Sequence, residues 1–354
     1  MKKGWFKAVM AVFAFMLLLA VGCREDGFRH SPDPVEAADT LRSKDWRPVL
    51  IGSSYGYANR DNRLVLPPLY DEAGYFSDGL ASVRIGDKTG YIDASGKRVI
   101  FKSGSDFHDG LAVVAEKDDE RIADAGGNWN YINTKGEVVL RTDFYRAYSF
   151  SEGLAPVMPD ESGRFAFIDQ SGHIVIEGDY GYAGDFQEGY AVVMIGQKWG
   201  FIDKKGERLT DFVYDAARDF VEGKAAVLTG DQWGFIDKGG REIIPPQYDD
   251  VGPFSEGLAK FKSGGKWGFV DASGNTRIRP DFMYARSFSE GLAAVQDVNG
   301  LWGYIDDNGS YRLRPQYEAA FGSENHTMLV KRPGAAEYEY VDQSGDKVHF
   351  WNEE

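Results

Sequence analysis

Cysteine is almost missing from this chain of 354 residues: there is one. That excludes a disulfide framework and any cysteine-rich metal site. Histidine is scarce as well. The five copies, His30, His108, His173, His326 and His349, include no two at ligand spacing. Basic charge is in short supply, with 40 Lys+Arg against 55 Asp+Glu and a net charge of -15. An acidic balance of this size argues against a general nucleic-acid binder and against a basic membrane-surface patch. The letters of a nucleophile elbow do occur at Gly52-Ser53-Ser54-Tyr55-Gly56. They fall inside a strand pattern, where the helix that this motif needs has no place.

Only one long apolar run exists, Ala8 to Gly22, preceded by Lys2, Lys3 and Lys7. It is too short for a comfortable transmembrane helix, which needs about 20 residues. It suits residues 1–22 as a signal peptide. The run closes on Leu19-Ala20-Val21-Gly22-Cys23. This resembles a bacterial lipobox, with Ala20 where that pattern prefers Leu. The resemblance implies lipidation of Cys23, the one cysteine of the chain. Acyl chains would anchor the protein by burying methylenes at about 0.8 kcal/mol each. Residues 23–45 are polar, contain Pro32 and Pro34, and read as a tether. The membrane is therefore an expected partner, through lipid. The expected location is the cell envelope, at the outer membrane or cell surface.

Gly and aromatics are what the chain has in plenty: 43 glycines, and Phe, Trp and Tyr at 14%. They recur in phase. Glycines fall at Gly79, Gly110, Gly153, Gly189, Gly223, Gly257 and Gly291, at a period of about 34. A second marker is an aromatic, one further residue, then Asp, or Asn in the first and third copies. Its aromatics are Tyr57, Tyr91, Tyr131, Phe167, Phe201, Phe235, Phe269, Tyr304 and Tyr340, nine copies. A fixed period of this length signals stacked units that bury apolar faces against their neighbours. Within a unit, Leu292–Val295 and Trp302–Asp306 alternate as strands. Asp and a Gly three residues later, as in Asp237 and Gly240, predict a tight turn. Glu242-Ile243-Ile244 reads as a third strand ending at Pro245-Pro246, because proline lacks a donor. A tyrosine follows, at Tyr70, Tyr145, Tyr214, Tyr248, Tyr284 and Tyr317. Then a phenylalanine opens the link to the next unit. Phe76, Phe107, Phe150, Phe186, Phe220, Phe254, Phe288 and Phe321 fill that place.

The predicted fold class is all-β. It is a tandem array of about eight to nine short antiparallel units, as a curved solenoid or propeller-like ring, over residues 46–354. Whether the ring closes is left open by the sequence. Closure would bring the strand near Lys347 to Trp351 beside Trp46 to Ile51.

The blocks Lys198-Trp199-Gly200-Phe201-Ile202-Asp203, Gln232–Asp237, Lys266–Asp271 and Leu301–Asp306 resemble the bacterial WG repeat, also called KWG. The resemblance covers residues 46 to 348. Thr89-Gly90 lacks the Trp, Trp129-Asn130 lacks the Gly, and Phe165-Ala166 lacks both. The family implies a β-rich exported repeat and carries no catalytic residues to transfer.

Candidate chemistry is thin. The turn aspartates, Asp306-Asp307-Asn308 above all, have calcium-type oxygens but a sufficient role in the turn. Glu152, Glu188, Glu222, Glu256 and Glu290 would form either an acidic stripe or a set of turn supports. The unit from Gly110 is long and carries an acidic loop at 116–124. No catalytic residue, cofactor or metal site is expected. The expected function is a non-catalytic binding or scaffolding lipoprotein whose partner is an envelope protein or a glycan, and not nucleic acid. The alternatives are a carbohydrate-active hydrolase with a carboxylate pair, and a purely structural surface protein.

Overall fold

A computed structural model describes residues 45–100, 104–115 and 129–350. The signal segment, Cys23, the tether up to 44, the acidic loop 116–124 and Trp351 lie outside the described residues. The described chain is all β: eight antiparallel sheets arranged as a propeller. Seven sheets have three or four strands and one has six. The six-stranded sheet holds two successive repeats, because one long strand, Ile174–Ala183, ends one repeat and begins the next. Nine repeat units therefore occupy eight sheets. Units are numbered here by their spans: 47–70, 72–100, 104–141, 146–180, 182–214, 216–248, 250–282, 284–317 and 319–348.

Unit 6 shows the plan. A two-residue first strand, Ala216–Ala217, pairs with Lys224–Thr229, which pairs with Gln232–Asp237, which pairs with Glu242–Tyr248. The first strand lies between the repeated tyrosine and the link phenylalanine, where the sequence pattern predicts no strand. It supplies the fourth strand that a propeller blade needs.

The third strand does not stop at its prolines. Glu242–Tyr248 and Leu64–Tyr70 run through them, and the ladder skips. Phe235 pairs with Ile244 and Trp233 with Tyr248, so the Pro245–Gln247 segment bulges opposite Gly234. This accounts for the glycine after the tryptophan. A Cβ on Gly234 would sit 2.5 Å from the Ile244 carbonyl oxygen and 2.7 Å from the Pro246 nitrogen. Gly56, Gly268 and Gly303 face the same clash with Leu66, Ile278 and Leu313. Units 3 and 4 carry Asn130 and Ala166 there, and their third strands contain no proline.

Faces of adjacent units pack through the phased aromatics. Phe235 meets Phe254 at 4.9 Å and Phe269 meets Phe288 at 4.7 Å, both edge-on. Each such pair adds about 1 kcal/mol beyond its area. Tyr57, Tyr91, Tyr131 and Tyr304 are fully buried, and each hydroxyl donates to a carbonyl on the next unit's inner segment. Burial holds all four hydroxyls un-ionised by raising their pKa.

The ring closes. Arg47 donates to Thr327, the Leu50 amide donates to the Tyr340 hydroxyl, and the Asn62 amide donates to the Asn325 carbonyl. Val49 and Ala58 pack with Tyr340, Val348 and Phe350. Closure is by this face packing. The end strand at Lys347 pairs with Val341 of its own unit, and among the described residues it forms no ladder with the Trp46 region.

Two further assignments are corrected. Phe321 is not the eighth link phenylalanine: Ser323 fills that place, its carbonyl accepting the hydrogen bond that the Phe288 carbonyl accepts one unit earlier. The buried tyrosine slot of unit 7 is filled by Phe282, opposite Trp267, which leaves Tyr284 two residues beyond it and exposed.

Candidate functional site

The two edges of the ring are built differently. At one edge each described unit after the first enters through a two-residue hairpin such as Ser255-Glu256-Gly257-Leu258. Glu256 and Gly257 have φ of +55° and +79°. Two positive values suit the twist of a hairpin, and the non-glycine one is strained. The carboxylate compensates. Glu222 accepts the Glu256 and Gly257 amides of the next unit at 2.7 and 3.0 Å. Glu152, Glu188 and Glu256 cap Gly189, Gly223 and Gly291 in the same way, and Asp78 and Asp109 cap Gly110 and Gly153. Burial pushes the Glu188 carboxyl up, but Lys238 and the Gly223 amide outweigh it and hold it below the usual range. The repeated glutamates are thus turn supports that stitch unit to unit.

The turn aspartates share this edge. Asp237 Oδ1 accepts the amides of Gly239 and Arg241, and Asp271 and Asp306 repeat the pattern. These oxygens are engaged by the backbone. A wide hollow here, lined by Asp109, Gly153, Asp169, Gln170 and Ser171, offers carboxylates that already hold turn amides. His173 and His326 sit in such turns, and His108 lies in a link. Gly52 turns a hairpin and Ser54 starts a strand, so the elbow pattern lacks its helix.

The first strands face the axis of the ring: among the described residues, units two apart meet at or just past the ends of these strands. Tyr75 of unit 2 donates to Glu324 of unit 9 at 2.9 Å, past unit 1. Asp185 of unit 5 feels His108 and Tyr131 of unit 3. Asp219 is open to water yet crowded by protein, as a narrow lumen requires. Crowding first, then Asp185, pushes its carboxyl up to about 6.

The opposite edge carries the hairpins between second and third sheet positions. One ladder level inward, residues are small and repetitive: Ala183, Val193 and Gly200 in unit 5, and Ala217, Val227 and Gly234 in unit 6. The level next to the hairpin is variable: Tyr182, Met194 and Trp199; Asp250, Lys262 and Trp267; Tyr284, Gln296 and Trp302. Rings there form rows. Tyr148, Phe165, Tyr182 and Trp199 follow one another at 5.8, 6.1 and 4.9 Å. Tyr284 stands between Trp267 and Trp302 at 6.4 and 6.3 Å. Tyr148, Tyr182 and Tyr284 are exposed, the last at 57%. Arg218 lies over Trp233 and binds Asp250, which shares a ladder level with Trp267, at 2.9 Å.

This shelf was not read from the sequence. The tryptophans recur in phase, which points to packing between units, and no repeat marker singles out Tyr148, Tyr182, Arg218 or Arg286. The signal is variation on both sides of the inner alanine: the residue after it is Gly74, Tyr148, Gly184, Arg218 or Arg286 by unit, and the residue before it is Tyr182 in unit 5.

The WG containing repeat matches residues 55–88, 129–160, 165–199, 199–233, 233–267, 267–302 and 302–325. No curated protein matches. Among solved structures, a eukaryotic initiation factor is similar at 14% identity and TM-score 0.58, over 86% of this chain and 95% of that one. The computationally designed Ika8 protein is similar at 13% and 0.44, over 78% and 94%. BamB from Moraxella catarrhalis is similar at 12% and 0.40, over 82% and 91%. At 14% identity the likeness to the initiation factor speaks for fold alone.

Proposed function

Because the chain belongs to the WG repeat family, whose repeats build this propeller, we propose that it is a binding lipoprotein of the cell envelope, tethered through Cys23. The partner is an envelope protein or a glycan, held at the hairpin-edge shelf. The observation that carries this reading is the exposed aromatic row on a body whose nine marker aromatics are all buried. Exposed apolar patches of this kind mark contact surfaces.

The test is retention. Detergent-solubilised envelope is passed over immobilised protein and over a Tyr182→Ala/Tyr284→Ala variant. A component held by the first and released by the second is expected. Equal retention by both sinks the assignment of the shelf. Cys23→Ser should move the protein from the membrane pellet to the soluble fraction, and a pellet unchanged by it contradicts lipidation.

The hydrolase alternative has one supporting observation, the carboxylates Asp185 and Asp219 on the lumen side, with burial and then Asp185 raising Asp219. Release of reducing sugar that is abolished by Asp219→Asn would favour it over the binding module.

A further inference from the structure

We propose that one end of the shelf takes an anionic glycan, a sugar ring stacked on Tyr284 with its carboxylate or phosphate held by Lys260, Lys262 and Arg286. The inference rests on the shelf being the contact surface and goes on to name the class of ligand. Lys260 and Lys262 lie over the Trp267 ring at 4.8 and 5.9 Å, and Arg286 lies over Trp302 at 5.4 Å. Tyr284 sits between those two tryptophans and is the most exposed ring of the group.

Charge complementarity selects an anion. The whole chain carries -15, yet three cations gather here. Among the described residues none of the three forms an ion pair. The nearby carboxylate, Asp250, is bonded by Arg218. Lys260 and Arg286 each donate to one main-chain oxygen, of Ala285 and Ala320 at 3.0 and 2.8 Å. That leaves two ammonium protons and most of the guanidinium fork without a charged acceptor. Burial lowers the pKa of Lys260; Asp250 works against this, and the cationic neighbours Arg286 and Arg218 each add a smaller lowering push. An incoming anion relieves that repulsion, and a flat ring beside it suits a sugar face.

Binding of polygalacturonate oligomers to the intact protein, followed by titration calorimetry, tests this against a neutral N-acetylglucosamine hexamer and a poly-glutamate peptide. The uronate oligomer should bind tightest and weaken with salt. Lys262→Gln, whose side chain makes no stitch between units, should lose several-fold, and Lys260→Gln/Lys262→Gln at least tenfold, with the melting temperature of Lys262→Gln unchanged. Equal binding of the neutral hexamer, a preference for poly-glutamate, or indifference to both variants overturns the anionic-glycan assignment. If one of these results comes with envelope retention that still depends on Tyr182 and Tyr284, the binding module stands and only its ligand class falls. If that retention fails too, both fall.

Discussion

The link edge and the hairpin edge of the propeller contain the same repeats and treat them in opposite ways. At the link edge a carboxylate, a serine and a glycine recur, and each polar group is used by the next unit. Ser255 and Ser289 donate to main-chain oxygens of Phe288 and Ser323, just as the glutamates accept turn amides. At the hairpin edge the ladder level nearest the turn changes from unit to unit and leaves rings and cations facing water. Constancy in a repeat array therefore reports what every joint needs. Departure from it shows where the surface has been adapted.

The contrast can be tested by substitution, with the largest effect at a constant position. Gly234→Ala should destabilise by about 3 kcal/mol, because its Cβ meets backbone that cannot move aside. Ala166→Gly, at the same place in a unit without proline, should cost about 1.5 kcal/mol through backbone entropy and one lost buried methyl. Equal urea midpoints for the two would break the bulge argument. Glu222→Ala should cost about 2 kcal/mol, since two amides lose their charged acceptor while the strained φ remains. Glu222→Gly loses the same bonds but relieves the strain, so it should be the milder variant. The reverse order in thermal melts would remove the carboxylate from its supporting role.

A smaller effect belongs to the lumen. Asp219 has a native pKa raised to about 6. A raised carboxyl binds its proton more tightly in the folded state, so stability falls as pH rises from about 4 through 6. Asp219→Asn should flatten that limb and melt slightly higher than the parent at pH 7.5, with no gain at pH 4. The smallest stability change is expected at the shelf. Tyr284→Ala should shift stability by less than about 0.5 kcal/mol, as exposed positions do, while reducing retention of the envelope component.

Much of this architecture was legible in the sequence. The nine phased aromatics, the Asp and Gly of each turn, and the Phe-x-Glu-Gly link all mark geometry that every unit repeats. Three features were not. Proline at 245 and 246 looked like a stop because a ladder donor is missing, yet the strand continues by bulging past a glycine. The two-residue first strands are too short to show alternation, so a propeller blade looked one strand short. The shelf was hidden because Tyr284 stands only two residues past the buried aromatic slot, near enough to be counted with it. Register decides which ring is covered, and pairing partners fix register.

Hydroxyl-radical footprinting of the protein with and without solubilised envelope tests the central claim most directly, because it reports both edges in one experiment. Binding at the hairpin edge predicts protection of Tyr148, Tyr182, Tyr284 and Trp302 with no change at the Glu-Gly links. Protection confined to the links, with those four rings still reactive, would contradict it.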